Sequence, residues 1–263
     1  MFTGNMVTEA IPARVFALYR IVSSKKNISK TELQGYMEPE GIYEGSSYFA
    51  AILKAATELK IVDVQDNYVI PIVDKDKMKT IEDFRLHAIS KLDSFENEQF
   101  YKCTNAIVNL NEKIYSYASV SDNDMISYLS NATGQQINAP MARGWRFWAQ
   151  FLGFGYMNGF VFLPNAYIFV KDVLKLMELE KKKEYLIDDF MMRFNQYGKI
   201  LSGNMQPDKT VNLAFSSALR ELHDNGEITL KYISDQGSKW NLYPSNDLFN
   251  NPVAAIVYKG VKR

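Results

Sequence analysis

Cysteine is almost absent from this sequence. Cys103 is the only one in 263 residues, which excludes an internal disulfide and points to a reducing, cytoplasmic setting. Histidine is nearly as scarce. His87 and His223 lie in different segments, without the clustered partners that a zinc site needs. Each is expected to be an exposed or capping helix residue. No run of about 18 apolar residues occurs, so no transmembrane helix is expected. No basic start precedes an apolar core in residues 1–14, so no secretory signal is expected either. Charge of one sign is also missing. Thirty Lys and Arg face thirty Asp and Glu, for a net charge of zero. That balance argues against a surface coated with nucleic acid, although it leaves room for local patches. With 47% hydrophobic and 13% aromatic residues, the chain is globular rather than disordered.

Enzymatic signatures are lacking as well. There is no Walker A motif, dinucleotide fingerprint or Gly-x-Ser-x-Gly elbow. The glycines of Gly153-Phe154-Gly155-Tyr156-Met157-Asn158-Gly159 fall at a helix end and a hairpin turn. Phosphate binding needs a strand before them and a helix after. Cys103 beside Lys102 reads as a buried structural thiol in a helix. Asp188-Asp189 reads as part of a solvated helix face. No catalytic residue, metal ligand or cofactor is expected.

What the sequence does contain is a pattern that recurs three times. Apolar residues at 15, 18, 19 and 22 follow Pro12 with helical spacing. Ser29 and Glu32 make a capping box for a second helix, which Pro39 and Gly41 end. Ser46 or Ser47 is placed to cap a third helix running to about Lys60. Ile61–Val64 and Tyr68–Ile70 alternate as two short strands around an Asp66-Asn67 turn. The second segment repeats this. Val120-Ser121-Asp122-Asn123-Asp124-Met125-Ile126-Ser127-Tyr128-Leu129 aligns with residues 28–37 without a gap. Ala139–Gly153 is then a helix, and Gly155–Phe162 a hairpin turning near Asn158-Gly159. In the third segment, Tyr185–Tyr197 predicts a first helix, with a short irregular stretch between Lys199 and Lys209. Asp208 or Thr210 then caps a helix over Val211–His223, ended by Asn225-Gly226. Ile228–Ile233 and Lys239–Tyr243 predict the clearest hairpin, turning at Ser234–Ser238. Helical connectors are expected over 77–117 and 174–183. Val253–Tyr258 predicts a last strand returning to an edge of one of the hairpins.

The order helix, helix, helix, hairpin resembles a winged helix-turn-helix. The predicted fold is therefore mainly α with small β-hairpin wings (α+β), in three winged helix-turn-helix modules joined by helical connectors. The boundaries are 1–75 for the first module, 76–118 for a connector and 119–173 for an aromatic-rich second module. Residues 174–247 make a connector and the third module, and 248–263 a tail with a short strand. Such modules place the third helix in the DNA major groove and the wing on phosphates. This selects Lys25, Lys26, Lys30, Ser46, Ser47 and Lys54 in the first module. In the second it selects Arg143 and Arg146. In the third it selects Lys209, Asn212, Ser216 and Arg220 on or beside the helix, with Lys231 and Lys239 on the wing. The aromatic side chains of the second module, Trp145, Phe147, Trp148, Phe151, Phe154, Tyr156, Phe160 and Phe162, favour core or interface packing over base stacking.

Ile11-Pro12-Ala13-Arg14-Val15-Phe16-Ala17-Leu18-Tyr19, Ile28-Ser29-Lys30-Thr31-Glu32-Leu33 and Ser47-Tyr48-Phe49 also resemble the DpdG-type proteins of bacterial DNA-modification and restriction clusters. That resemblance implies a non-catalytic DNA-binding and assembly subunit of a phage-defence complex. Its expected partners are double-stranded DNA, held weakly or with assistance, and a larger subunit such as an ATPase, helicase or nuclease. No membrane is involved. The alternatives are a protein-interaction scaffold, like the tandem winged-helix subunits of condensin-type complexes, or a transcription regulator. By segment, basic and acidic side chains number eight and nine in 1–75, six and seven in 76–118, three and three in 119–173, and thirteen and eleven in 174–263. No module is a strong electrostatic magnet, so any DNA contact is confined to small patches.

Overall fold

Pro12 opens the first helix, where a missing backbone N–H costs nothing. In the computed structural model, this helix, α1 (Pro12–Lys25), buries Val15, Leu18, Tyr19 and Val22 on one face, the spacing the sequence predicts. The structure describes all residues except 42–44, 46, 204–208, 236, 246–248, 262 and 263. After α1 comes a two-residue strand, β1 (Ile28–Ser29), and then α2 (Lys30–Met37). The Ser29 hydroxyl accepts from the Glu32 N–H at 3.2 Å, so the expected cap is present. Next are α3 (Phe49–Glu58), β2 (Val62–Gln65) and β3 (Tyr68–Pro71). The three strands form an antiparallel sheet in the order β1-β3-β2. Asp66 takes a left-handed φ of 54° in the predicted turn.

The connector holds two helices, α4 (Ile81–Lys91) and α5 (Gln99–Val108), with 3-10 turns at Leu92–Phe95 and Asn111–Ser116. Thr80 and Asp83 form a reciprocal capping box at the start of α4. The second segment supplies α6 (Asn123–Thr133), α7 (Ala139–Phe151) and a hairpin of β4 (Gly155–Asn158) with β5 (Val161–Pro164). Asp122, not Ser121, caps α6 by accepting from the Met125 N–H at 2.7 Å. The repeat therefore shifts by one residue at the cap, because a carboxylate there is as good an acceptor as a hydroxyl. Gly159, with φ of 61°, and Phe160 make the tight turn.

The third segment departs furthest from its predicted pattern. Its elements are α8 (Tyr167–Leu176), β6 (Glu184–Leu186), α9 (Ile187–Ser202), α10 (Leu213–Asp224), β7 (Ile228–Lys231) and β8 (Ala255–Tyr258). Tyr185 lies in a strand rather than a helix, and the connector helix lies earlier than 174–183. The helix α10 is capped by Asn212, which accepts from the Phe215 N–H at 2.9 Å, rather than by Thr210. Asp208, the other expected cap, lies outside the described residues. The predicted hairpin of 228–233 with 239–243 does not form. The partner of β7 is β8, and the sheet order is β6-β8-β7. A central strand needs apolar residues on both faces, and Ala255-Ile256-Val257-Tyr258 supplies them. The polar Lys239-Trp240-Asn241 stretch makes isolated bridges only, to Val253 and Thr210. The last strand therefore returns to a sheet as expected, but at its centre instead of its edge.

A hydrophobic core cluster runs through all three segments, from Met1 to Tyr258. The second segment is wedged into it. Phe2 packs against Phe95, Phe100 and Trp148 at ring distances of 5.1, 5.3 and 4.7 Å. The Trp148 indole N–H donates to the Ala10 carbonyl at 2.7 Å, and that of Trp145 to Thr104 Oγ1 at 2.8 Å. Core packing is thus the role of most of the aromatic side chains there. Asp172, itself buried, joins α8 to α4 through Arg85 at 2.6 Å and also pairs with Lys175 of its own helix at 2.7 Å. Among the described residues, no helix is long and apolar enough to cross a membrane.

Candidate nucleic-acid interface

On the winged helix-turn-helix reading of the sequence, the helices that would read DNA are α3, α7 and α10. They present very different surfaces.

At the start of α3, the expected phosphate position is filled from within. The Glu38 carboxylate accepts from the Tyr48 and Phe49 N–H groups at 2.6 and 2.8 Å. It also accepts from the Ser47 hydroxyl at 2.9 Å and the Gln34 amide at 2.8 Å. Burial alone would raise the pKa of Glu38. The hydrogen bonds from Gln34, Tyr48, Phe49 and Ser47 outweigh it and hold the carboxyl below its usual range. Glu38, rather than Ser47, is the cap of α3, and its charge repels an incoming phosphate. Ser46 lies outside the described residues. The first-module lysines are exposed or half-exposed but partly engaged. Lys54 lies 3.7 Å from Glu58, Lys25 lies 3.9 Å from Glu32, and Lys30 donates to the Asp66 carbonyl at 3.3 Å. Lys26, at the C-terminus of α1 with φ of 66°, projects into solvent.

On α7, the sequence puts Ala142, Trp145, Trp148 and Ala149 into the core and leaves Arg143, Arg146 and Phe147 along the outer arc. Arg143 is exposed, and Arg146 rests 5.1 Å above the Phe147 ring. Neither has a carboxylate within ion-pair distance among the described residues. The following hairpin exposes Tyr156 and Phe160, the latter by 73%.

On α10 the expectation is corrected. Asn212, Ser216 and Arg220 are 7%, 0% and 3% exposed and face the interior. Arg220 donates to the carbonyls of Phe249 and Tyr243 at 2.9 and 2.7 Å and to Asn250 Oδ1 at 2.8 Å. Ser216 accepts from the Tyr243 N–H at 2.7 Å, and the Asn212 amide donates to the Leu201 carbonyl at 2.8 Å. Tyr243, Phe249 and Asn250 cover the helix face that a recognition helix leaves open. A phosphate cannot reach these side chains in this conformation. The sequence gives little warning, since Arg at the solvent edge and Arg under a covering loop look alike locally.

Lys209 and the two lysines of the predicted wing are exposed or half-exposed, but held. Lys209 donates to Ser238 Oγ at 2.8 Å and pairs with Asp188 at 3.4 Å. Lys231 pairs with Glu184 at 2.6 Å, and Lys239 donates to the Ser234 carbonyl at 2.8 Å, over the Tyr232 ring. Asp188 is more than a solvated helix residue. It accepts from the Trp240 indole at 2.7 Å, and the Ser238 hydroxyl bond is the main force holding its pKa low. Gln236 lies outside the described residues.

The scarce reactive side chains are structural. Cys103 is fully buried, and burial pushes its thiol up to about 12. His87 is half-buried with Nε2 2.8 Å from the Leu59 carbonyl, and burial lowers its pKa. His223 Nδ1 accepts from the Leu230 N–H at 3.2 Å. Neither is fully exposed; both bond to backbone, and the carbonyl that His87 reaches is that of the C-cap residue of α3. One group of cations was not predicted: Arg20, Lys75 and Lys79 line a common cleft. They come from two separate elements, so no single helical or strand period marks them.

The family model described as DpdG-like matches residues 5–236. No curated protein and no solved structure matches the chain. The family match extends through all three segments, well beyond the first-segment phrases that carry the resemblance. The chain belongs to the DpdG-like family.

Proposed function

We propose that this chain is a non-catalytic, DNA-contacting assembly subunit of a multiprotein DNA-modification or restriction system. The observation that carries this reading is the family match over residues 5–236, which points to a DNA-modification cluster. The surface supports the DNA part. Among the described residues Arg143 and Arg146 stand free of carboxylates, and an unpaired guanidinium is suited to phosphate or guanine in a two-bond geometry. The balanced net charge makes the contact weak, so a partner subunit holds the chain on DNA. Duplex binding that weakens with added salt, and weakens further in Arg143→Gln/Arg146→Gln, supports the assignment. Binding untouched by that pair of changes removes α7 from the interface.

A scaffold role is the second reading. The exposed rings of Phe147, Tyr156 and Phe160 favour it, because aromatic residues are enriched at protein interfaces. Co-purification with the products of neighbouring genes, lost in Tyr156→Ser/Phe160→Ser, is its expected signature. A complex of unchanged stability in that variant argues against these rings as the contact.

A further inference from the structure

A cleft of about 410 Å³ lies between the last turn of α1 and the 3-10 turn Lys75–Lys77 that follows β3. Arg20, Lys75 and Lys79 line it, with Ser23, Ser24 and Asp76. Three cations face one carboxylate, and Lys79 already pairs with that carboxylate at 3.1 Å. Among the described residues, Arg20 and Lys75 have no ion-pair partner. Asp74, just outside, is engaged as the cap of the turn, accepting from the Asp76 N–H at 2.7 Å. The Arg20 guanidinium is held over the Phe16 ring at 5.9 Å, and that ring stacks on Phe84 at 5.5 Å.

The C-terminal end of α1 would normally repel an anion, because its last carbonyls carry partial negative charge. Here Lys25 in that last turn offsets part of the charge, and just before it Ser23 and Ser24 donate to the Arg20 and Ile21 carbonyls at 3.1 and 2.8 Å. The other side of the module is the less suitable one, since Glu38 occupies the start of α3. We propose that this cleft binds a phosphate group, with Arg20 and Lys75 as its two principal cations. The DNA backbone is the source that follows from the proposed function, and the inference rests on that reading only for the source.

The test is duplex binding by fluorescence anisotropy across a salt series, using the full chain. Arg20→Gln/Lys75→Gln is compared with the charge-matched control Lys60→Gln/Lys113→Gln, whose sites are exposed elsewhere. The cleft variant is expected to bind roughly tenfold more weakly and to lose about two from the salt slope, while the control stays near wild type. Equal losses in both variants, or none in the cleft variant, overturn the site while leaving DNA contact standing. If wild type binds no duplex, pyrophosphate is titrated by calorimetry. Uptake lost in the cleft variant then supports a phosphate site fed by a free ligand and rejects the DNA source. Absence of both kinds of binding overturns the inference.

Discussion

Individual side chains explain much of what this surface can and cannot do. Glu38 is the clearest case. Its folded pKa is lowered, so its stabilising effect is present above the unfolded value and is lost as pH falls through the folded value. Glu38→Ala removes a helix cap and should cost roughly 1–2 kcal/mol at pH 7 in urea unfolding, with the difference shrinking in acid. Asp93 behaves the opposite way. Burial raises it to about 6, so the folded chain holds its proton where the unfolded chain has released it. Stability therefore falls as pH rises from about 4 to about 6. Asp93→Asn, which can still accept from the Tyr101 hydroxyl, should raise the melting temperature at pH 7 and leave it unchanged near pH 4. Cys103 should resist thiol reagents in the native state at pH 8 and react fully once the chain is unfolded. Rapid native labelling would show the α5 packing to be wrong.

At the scale of elements, legibility followed the reach of the interaction. Ser29, the Asp66-Asn67 turn and Asn225-Gly226 act within a few residues, and each stands where the sequence put it. The first two hairpins are equally local and equally legible. The pairing of β7 with β8 joins residues far apart in sequence, with Lys239–Tyr243 lying between as a plausible local rival. Local alternation cannot decide between them; the apolar character of both faces of β8 does. A non-local cover likewise buries Arg220, which no local pattern reveals, whereas the helical period of α7 is enough to place Arg143 and Arg146 on its outer arc. Close packing gives further tests. A Cβ on Gly144 of α7 would lie 2.8 Å from the Val7 backbone. Gly144→Ala should therefore destabilise the chain by about 1–3 kcal/mol, despite its better helix propensity. Arg85→Met leaves buried Asp172 with Lys175 alone and should cost roughly 3 kcal/mol. A neutral result in denaturant unfolding would show that the α4–α8 contact is not held by that pair.

For the whole molecule, zero net charge sets the terms. Eleven of the thirty lysine and arginine side chains pair with carboxylates among the described residues, and on the proposed function the attraction to DNA would come from unpaired ones, of which Arg143 and Arg146 on α7 and Arg20 and Lys75 beside α1 are the candidates. On the proposed function, such a chain would contact DNA through small sites and depend on partners for residence. Membership of the DpdG-like family over residues 5–236 provides the setting in which such a subunit would work. The most direct test of this account is the affinity of the purified chain for a labelled duplex as salt is raised. The account predicts saturable binding at low salt, with the logarithm of the affinity falling linearly against the logarithm of salt concentration. No binding at the lowest salt, or binding indifferent to salt, would contradict it.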